Sequence, residues 1–280
     1  MEQECSKELV LGFINDYLEA LVARDPTGLP VSPHLKFTEN GESLNLGQGL
    51  WETARCVEFR KSFVDPMTGQ AGFFGVVIER GDGKAIFVLR LKIKYQQIVE
   101  VETLVAREGC HPLFAPDSMT MNHLWDAVIP ESERLPRTRL ISIADMYFEG
   151  LEQNDASIIP FHPDCNRREN GIQTTNNPPR FPRSCQAGIA NLSYIEKVRD
   201  RRFPVVDQTR GLVLGIVCFD VPGREREASG TAEDKLLTSL AIQPRSLILY
   251  ELFKIEDGLI RDIEALMSNA PLGVSLGWPD

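Results

Sequence analysis

The chain contains two copies of one sequence pattern, and this internal repeat limits its fold more than any other feature. A shift of 130 residues brings nine identical residues into register within 25 positions. The pairs are Tyr17 with Tyr147, Glu19 with Glu149, Leu21 with Leu151, Asp25 with Asp155, Pro30 with Pro160, Pro33 with Pro163, and Glu39-Asn40-Gly41 with Glu169-Asn170-Gly171. A repeat of this length indicates a duplicated folding unit.

The offset between the copies then grows to 142 and to 162, which places two insertions in the second copy. The insertions are the stretches TTNNPPRFPRS and GREREASGTAEDK, and both have the composition of surface loops. We predict a first unit at 1–110, a linker at 111–136, and a second unit at 137–280 whose apolar tail docks on the rest of the chain.

Each copy begins with apolar residues at helical spacing and continues with long apolar strands. Residues 8–24 predict a helix that ends at Asp25-Pro26, and the second copy repeats this pattern up to Asn154-Asp155. Sequential strands joined by turns predict an antiparallel sheet with one face covered by the helix. The predicted fold class is therefore α+β, with two tandem cone-shaped units, each a helix on a curved antiparallel sheet, arranged as a pseudo-dimer.

Composition and charge narrow the function classes. The formal net charge is −10 and no run of Lys and Arg forms a stripe, so no nucleic-acid partner is expected. No stretch approaches the roughly 20 apolar residues of a membrane span, and no secretion signal is recognisable, so we expect no membrane contact and a cytoplasmic location. The six cysteines lack CxxC spacing and the four histidines lack ligand spacing, which predicts no metal. Cys165 and Cys185 flank a loop, and whether they pair stays open.

The element order helix, short strand, small helix and bent meander resembles the nuclear transport factor 2-like superfamily over both copies. That superfamily includes SnoaL-like polyketide cyclases, ketosteroid isomerase and scytalone dehydratase. The second copy, with RENG, RRFPVVDQTRGLVLGIVCFDVPG, FKIEDGLIRDIEAL and the closing GW, is similar to a poorly characterised group of fungal and bacterial proteins. The resemblance implies a pocket between the concave sheet and the first helix, no cofactor, and proton transfer by Asp, His or Tyr.

The first strand of the second copy is charged where that of the first copy is apolar. Arg167 aligns with Phe37 and is followed by Glu169. An arginine on an inner face is costly unless it is paired or functional, so Arg167 and Glu169 are candidate catalytic residues. The alternative is a purely structural ion pair with Glu169 or the tail carboxylate. If the register differs by one residue, Arg168 replaces Arg167, and we treat Arg168 as a substrate-binding candidate.

The other candidates are polar or aromatic residues that the repeat or the linker could bring to a cone. The catalytic candidates are His162, Tyr147 and Asp145, and the substrate-binding candidates are Tyr17, His123 and Trp125. Each has a structural alternative, which is core packing for the tyrosines, a solvated helix face for Asp145 and a surface loop for the histidines.

Carboxylates alternate with apolar residues in the last strand of each copy. Glu100 and Glu102 in the first copy correspond to Asp262 and Glu264 in the second. Two carboxylates about 7 Å apart along a strand can divide acid and base roles. Because Val99 and Val101 alternate with them, the pattern favours an outer polar face.

These features predict a cofactor-independent isomerase, cyclase or dehydratase that acts by acid/base proton transfer on a small hydrophobic metabolite. The pathway type would be specialised metabolism of polyketides or terpenoids. The alternatives are a non-catalytic protein that binds a small hydrophobic ligand, and an interaction scaffold. Because the second copy alone carries charges on its first strand, we place the site in the second cone. Whether the pseudo-dimer also forms a homodimer stays open.

Overall fold

The computed structural model describes residues 5–223 and 232–278 as two similar units, each with one long helix on one six-stranded sheet. The elements of the first unit are α1 (Lys7–Ala23), β1 (Val31–Glu39), β2 (Glu42–Ser43), α2 (Leu50–Thr53), β3 (Ala54–Asp65), β4 (Gln70–Glu79), β5 (Lys84–Lys94) and β6 (Gln97–Ala106). A short helix, α3 (His123–Asp126), lies between the units. The elements of the second unit are α4 (Arg137–Gln153), β7 (Phe161–Glu169), β8 (Ile172–Gln173), α5 (Cys185–Gly188), β9 (Lys197–Asp207), β10 (Leu212–Val221), α6 (Ala232–Ile242), β11 (Arg245–Glu256) and β12 (Leu259–Ala270).

Both sheets have the same strand order, β2-β1-β6-β5-β4-β3 in the first and β8-β7-β12-β11-β10-β9 in the second. The predicted two-copy α+β fold is confirmed, and so is the element order expected from the nuclear transport factor 2-like resemblance. The sheets are mixed rather than wholly antiparallel, because β1 and β7 run parallel to β6 and β12. In each unit the first strand follows the long helix and lies beside the last strand. These two strands run in the same direction.

The long helices end by the same local device in both units. Ser6 caps α1 by accepting a hydrogen bond from the Leu9 amide at 3.1 Å. Arg24 and Asn154, which are 130 residues apart, end α1 and α4 in the left-handed conformation, with φ of 58° and 53°. This fixed end sets the direction of the chain into β1 and β7.

The two sheets pack back to back, which confirms the predicted pseudo-dimer arrangement. A shared apolar core joins their outer faces and includes Phe74, Val88, Tyr250 and Leu266. This packing removes the outer face of each sheet from water.

Two ion pairs cross this packed face, and they correct the prediction that the last strands carry an outer polar face. Glu264 pairs with Lys61 of the other unit, and Glu102 pairs with Arg202 at 2.5 Å. Glu102 and Glu264 are 1% and 3% exposed. Each carboxylate therefore faces the other unit rather than solvent, and the acid/base alternative for them is not supported.

The connecting segment and the tail are packed on the two units. Ala115 donates its amide to the Asn170 carbonyl at 2.9 Å, and Ile129 donates to Thr209 at 2.9 Å. Trp278 in the tail donates its indole N–H to Thr38 Oγ1 at 2.9 Å. No helix within the described ranges is long and apolar enough to span a membrane.

The two predicted loop insertions have different outcomes. The first, at 174–184, is partly buried rather than a surface loop, since Thr175 and Phe181 are 0% and 3% exposed. The second spans 223–235, and its residues 224–231 lie outside the described part of the chain. Its last residues begin α6, which packs over the second cone through Leu237 and Leu240.

Candidate functional site

Arg167 lies inside the second cone, at the position where the first cone has Phe37. Phe37 pairs with Val101 across β1 and β6, and Arg167 pairs with Ile263 in the equivalent register. The side chain is buried, and its Nε lies 3.3 Å from Thr174 Oγ1 and 3.5 Å from Glu169 Oε2. The sheet, rather than a flexible loop, thus holds a guanidinium group in the cone.

Glu251 is a second ionisable residue inside this cone. It stands on β11 opposite Ala265 of β12, and Ala265 in turn stands opposite Glu169 of β7. Glu251 is 2% exposed, and its Oε2 has no hydrogen-bond partner among the described residues. Burial raises the pKa of Glu251 to about 8, although the positive charge of Arg167 opposes the rise. Glu251 is therefore a neutral acid at pH 7.

Tyr147 of α4 connects these two groups. Its hydroxyl accepts a hydrogen bond from Arg167 Nη1 at 3.4 Å and also interacts with the Glu251 carboxyl group. The ring packs edge-on against Phe253, with centroids 5.2 Å apart. Burial and the nearby Glu251 raise the pKa of Tyr147 well above its usual value, so the hydroxyl keeps its proton.

A small cavity adjoins Arg167 between the sheet, α5 and α6. Its polar lining includes Arg167, Glu169, Thr174, His111, Asn191 and Glu233. The free space is about 30 Å³, enough for a water molecule or two and far below the roughly 300–1,000 Å³ of ligand pockets. Leucines of α6 close it on one side, including Leu237 and Leu240.

His111 presents an unused hydrogen-bond donor at this cavity. Its Nδ1 accepts the Leu113 amide at 3.2 Å, which leaves the proton on Nε2 in the neutral ring. Nε2 is buried and lacks a partner among the described residues. Burial lowers the pKa of His111 to about 4, against the attraction of Glu169. A neutral ring at pH 7 can donate to an oxygen atom placed in the cavity.

In the first cone, apolar residues stand at the positions that match Arg167 and Glu251. Phe37 and Leu89 stand where Arg167 and Glu251 stand in the second cone. The Tyr17 hydroxyl accepts a hydrogen bond from the indole N–H of Trp51 at 3.0 Å, and both rings are buried. Tyr17, a predicted substrate-binding residue, is thus a packed core residue of an apolar cone.

Three other predicted substrate-binding residues lie away from the cavity of the second cone. Arg168 pairs with Asp262 at 3.0 Å on the opposite side of β7 from Arg167. Trp125 is buried between the sheets with its ring centroid 4.3 Å from Lys61 Nζ. His123 is exposed at the start of α3. None of the three lines the cavity.

Two predicted catalytic residues also lie outside the cavity. His162 is half-buried at the start of β7, where both ring nitrogens contact Arg261 Nη1. Asp145 lies on the outer side of α4 and contacts Arg201 at 3.4 Å. The solvated-face alternative describes Asp145 better than the catalytic one. Of the predicted catalytic set, the second cone brings together Arg167, Tyr147 and Glu169.

Sequence reasoning missed Glu251 and His111. Glu251 lies in the apolar strand SLILYELFKI, and the repeat aligns it with Leu89. This is the same charged-for-apolar exchange that identified Arg167, so the signal was present. His111 comes from the connecting segment, which has no counterpart in the first copy and therefore no repeat signal.

The two cysteines of the cone are free thiols in contact with the same network. Cys185 Sγ donates to the Cys165 carbonyl at 3.1 Å and lies 3.6 Å from Thr175 Oγ1. Within the described ranges, no three His, Cys, Asp or Glu side chains form a group that could hold a metal ion.

A family model matches the second unit. It is described as "Domain of unknown function (DUF8021)" and covers residues 133–267, just under half of the chain. No curated protein matches the chain significantly. The proposed grouping with fungal and bacterial proteins stays a prediction.

Several solved structures match with low identity. An NTF2-like protein of unknown function from Mesorhizobium loti is 14% identical, with a TM-score of 0.30, over 35% of this chain and 92% of its own. A protein with a cystatin-like fold from Methylobium petroleophilum is 11% identical, with a TM-score of 0.33, over 48% and 99%. An LEH-like epoxide hydrolase from M. tuberculosis is 12% identical, with a TM-score of 0.31, over 47% and 84%.

Proposed function

We propose that the second unit is a cofactor-independent enzyme that moves a proton within a small hydrophobic metabolite, as an isomerase, cyclase or dehydratase does. The observation that carries the proposal is one buried site with a permanent cation, Arg167, a protonated acid, Glu251, and a second carboxylate, Glu169. A buried carboxyl group with a raised pKa is typical of sites for acid/base catalysis.

The proposed roles follow from what borders the cavity. Glu169 accepts a proton from a carbon atom next to a substrate carbonyl group, and the electron pair moves onto the carbonyl oxygen. Arg167 and the Nε2–H of neutral His111 stabilise the resulting oxyanion. Glu169 then returns the proton to another atom of the substrate. Tyr147 and Glu251 lie behind Arg167 and position it.

A substrate must displace side chains of α6, because the free space of the cavity has room only for a water molecule or two. Glu233 of α6 is fastened to the cone by Arg183 at 2.7 Å and Asn191 at 3.1 Å. We propose that binding breaks these polar contacts and moves the leucines of α6 outward. The specialised-metabolism setting remains part of the proposal, since the apolar α6 face suits a nearly neutral substrate.

The second candidate is an interaction scaffold. The small cavity and the aromatic filling of the first cone by Trp51 and Tyr17 favour it. On this alternative, the buried charges of the second cone have a structural role only.

Hydrogen–deuterium exchange distinguishes the two candidates. We expect the protein in deuterated buffer to exchange the hydrogen next to the carbonyl group in at least one member of a panel of small cyclic ketones and 1,3-diketones, measured by NMR. Glu169→Gln is expected to slow this exchange about 100-fold or more, as loss of a general base does.

The repeat offers a matched control. Glu39 is the counterpart of Glu169 in the first cone and accepts the Leu50 amide at 3.1 Å. Glu39→Gln is expected to leave the exchange rate unchanged. Equal losses in both variants, or no exchange by the wild-type protein, would contradict the proposal and favour the scaffold.

A further inference from the structure

An open groove between the two units is larger than the cone cavity and shares no lining residue with it. Its volume is about 560 Å³, within the range of small-molecule sites. The first unit lines it with Lys36, Arg90 and Lys92, the second with Arg202 and Phe203, and the tail with Trp278. Both units contribute, so the groove exists only because the two units are joined.

Positive charge exceeds negative charge at the floor of this inter-unit groove. Glu102 lies under the groove and accepts hydrogen bonds from Arg90 at 2.9 Å and from Arg202 at 2.5 Å. Glu100 forms ion pairs with Arg90 at 2.7 Å and with Lys92 at 3.3 Å. Two carboxylates thus pair with three cations at the floor of the groove.

Lys36 adds a fourth cation at the rim of the groove. Its ammonium group contacts the Gly277 carbonyl and the Trp278 ring, and no described carboxylate pairs with it. Arg201 also borders the groove, but three acids on α4 surround it, which are Asp145, Glu149 and Glu152. Apart from Arg201, the described cations of the groove outnumber Glu100 and Glu102 by two.

Aromatic side chains line the same space. Trp278 is fixed by its bond to Thr38, and its ring centroid lies 4.0 Å from Lys36 Nζ and 4.9 Å from Arg90 Cζ. Phe203 lines the groove from the other unit and is held by Phe148, with ring centroids 6.0 Å apart. A flat ring can pack on these groups while an acidic substituent reaches the lysines.

We propose that the inter-unit groove binds a small aromatic anion, in which a planar ring carries a carboxylate or phosphate group. The ring packs against Trp278 and Phe203, and the anionic group accepts hydrogen bonds from Lys36 and Lys92. The proposal does not rest on the function proposed for the second cone, because the two sites share no residue.

Calorimetry with a matched pair of probes tests this site. We expect 1-naphthoate to bind to the full chain and the neutral 1-naphthamide to bind at least tenfold more weakly. Lys36→Gln and Lys92→Gln are each expected to weaken 1-naphthoate binding about tenfold, as loss of a charge-assisted hydrogen bond does. Added salt is expected to weaken it too.

Lys197→Gln is the control, since Lys197 is an exposed lysine at the start of β9 that does not line the groove. It is expected to retain wild-type affinity, and thermal unfolding checks that all variants fold. Equal affinity for the two probes, equal effects of the three lysine substitutions, or no binding of 1-naphthoate would overturn the proposal.

Discussion

Replacement of Lys61 by Met is expected to lower the free energy of unfolding by about 3–5 kcal/mol, because the buried carboxylate of Glu264 then loses the cation that pairs with it across the units. Lys61 and Glu264 are each 3% exposed, and their ion pair joins the two sheets. The Trp125 ring lies 4.3 Å from the ammonium group and adds a cation–π contact. Urea unfolding at pH 7 measures the loss.

The double variant tests whether the loss of stability comes from the unpaired charge of Glu264. Lys61→Met combined with Glu264→Leu is expected to recover most of the lost stability, because no unpaired charge remains. Lys84→Met is the control, since Lys84 forms only surface pairs with Glu58 and Asp117; its expected cost is about 1 kcal/mol or less. A Lys61 variant as stable as the Lys84 variant would show that the pair is not desolvated.

The contribution of Glu251 to the free energy of unfolding is expected to fall as the pH rises from about 5 to 8. In this window the folded protein keeps that proton, whereas the unfolded chain releases it near the ordinary pKa of 4.5. The folded state therefore holds this proton more tightly, and the contribution of Glu251 to stability declines with pH. At about 1.4 kcal/mol for each pH unit between 4.5 and about 8, the decline approaches ~5 kcal/mol.

Glu251→Gln isolates this contribution, because the amide cannot ionise. The variant is expected to match the wild type near pH 5 and to exceed its stability increasingly up to pH 8, measured by urea unfolding at each pH. Glu256→Gln, the same change at the half-buried end of β11, is expected to keep the wild-type pH profile. Parallel pH profiles for the wild type and Glu251→Gln would contradict a raised pKa.

The fold could be predicted from the repeat because two copies constrain each other. A charged residue in one copy opposite an apolar residue in the other marks a change of environment, and this comparison identified Arg167 against Phe37. The same comparison of Glu251 with Leu89 identifies the buried acid, although the strand looked uniformly apolar. The contacts of Arg167 also depend on Thr174, which belongs to an insertion that the first copy lacks.

The back-to-back packing could not be recovered from strand periodicity. Glu102 and Glu264 alternate with apolar residues, a pattern typical of a solvated face, but the face is covered by the other unit. Period-two alternation distinguishes the two sides of a strand, not water from a second sheet. For the same reason Trp125 belongs to the interface between the two units and does not lie over the opening of a cone.

The most direct test of the account measures the proton on Glu251 in the folded protein. The central claim is that the second cone keeps a protonated carboxyl group beside Arg167 at neutral pH. Carbon-13 NMR of the glutamate carboxyl groups, with Glu251→Gln to assign the signal, gives its pKa. We predict a titration midpoint near pH 8; a midpoint at or below 4.5 would contradict the claim.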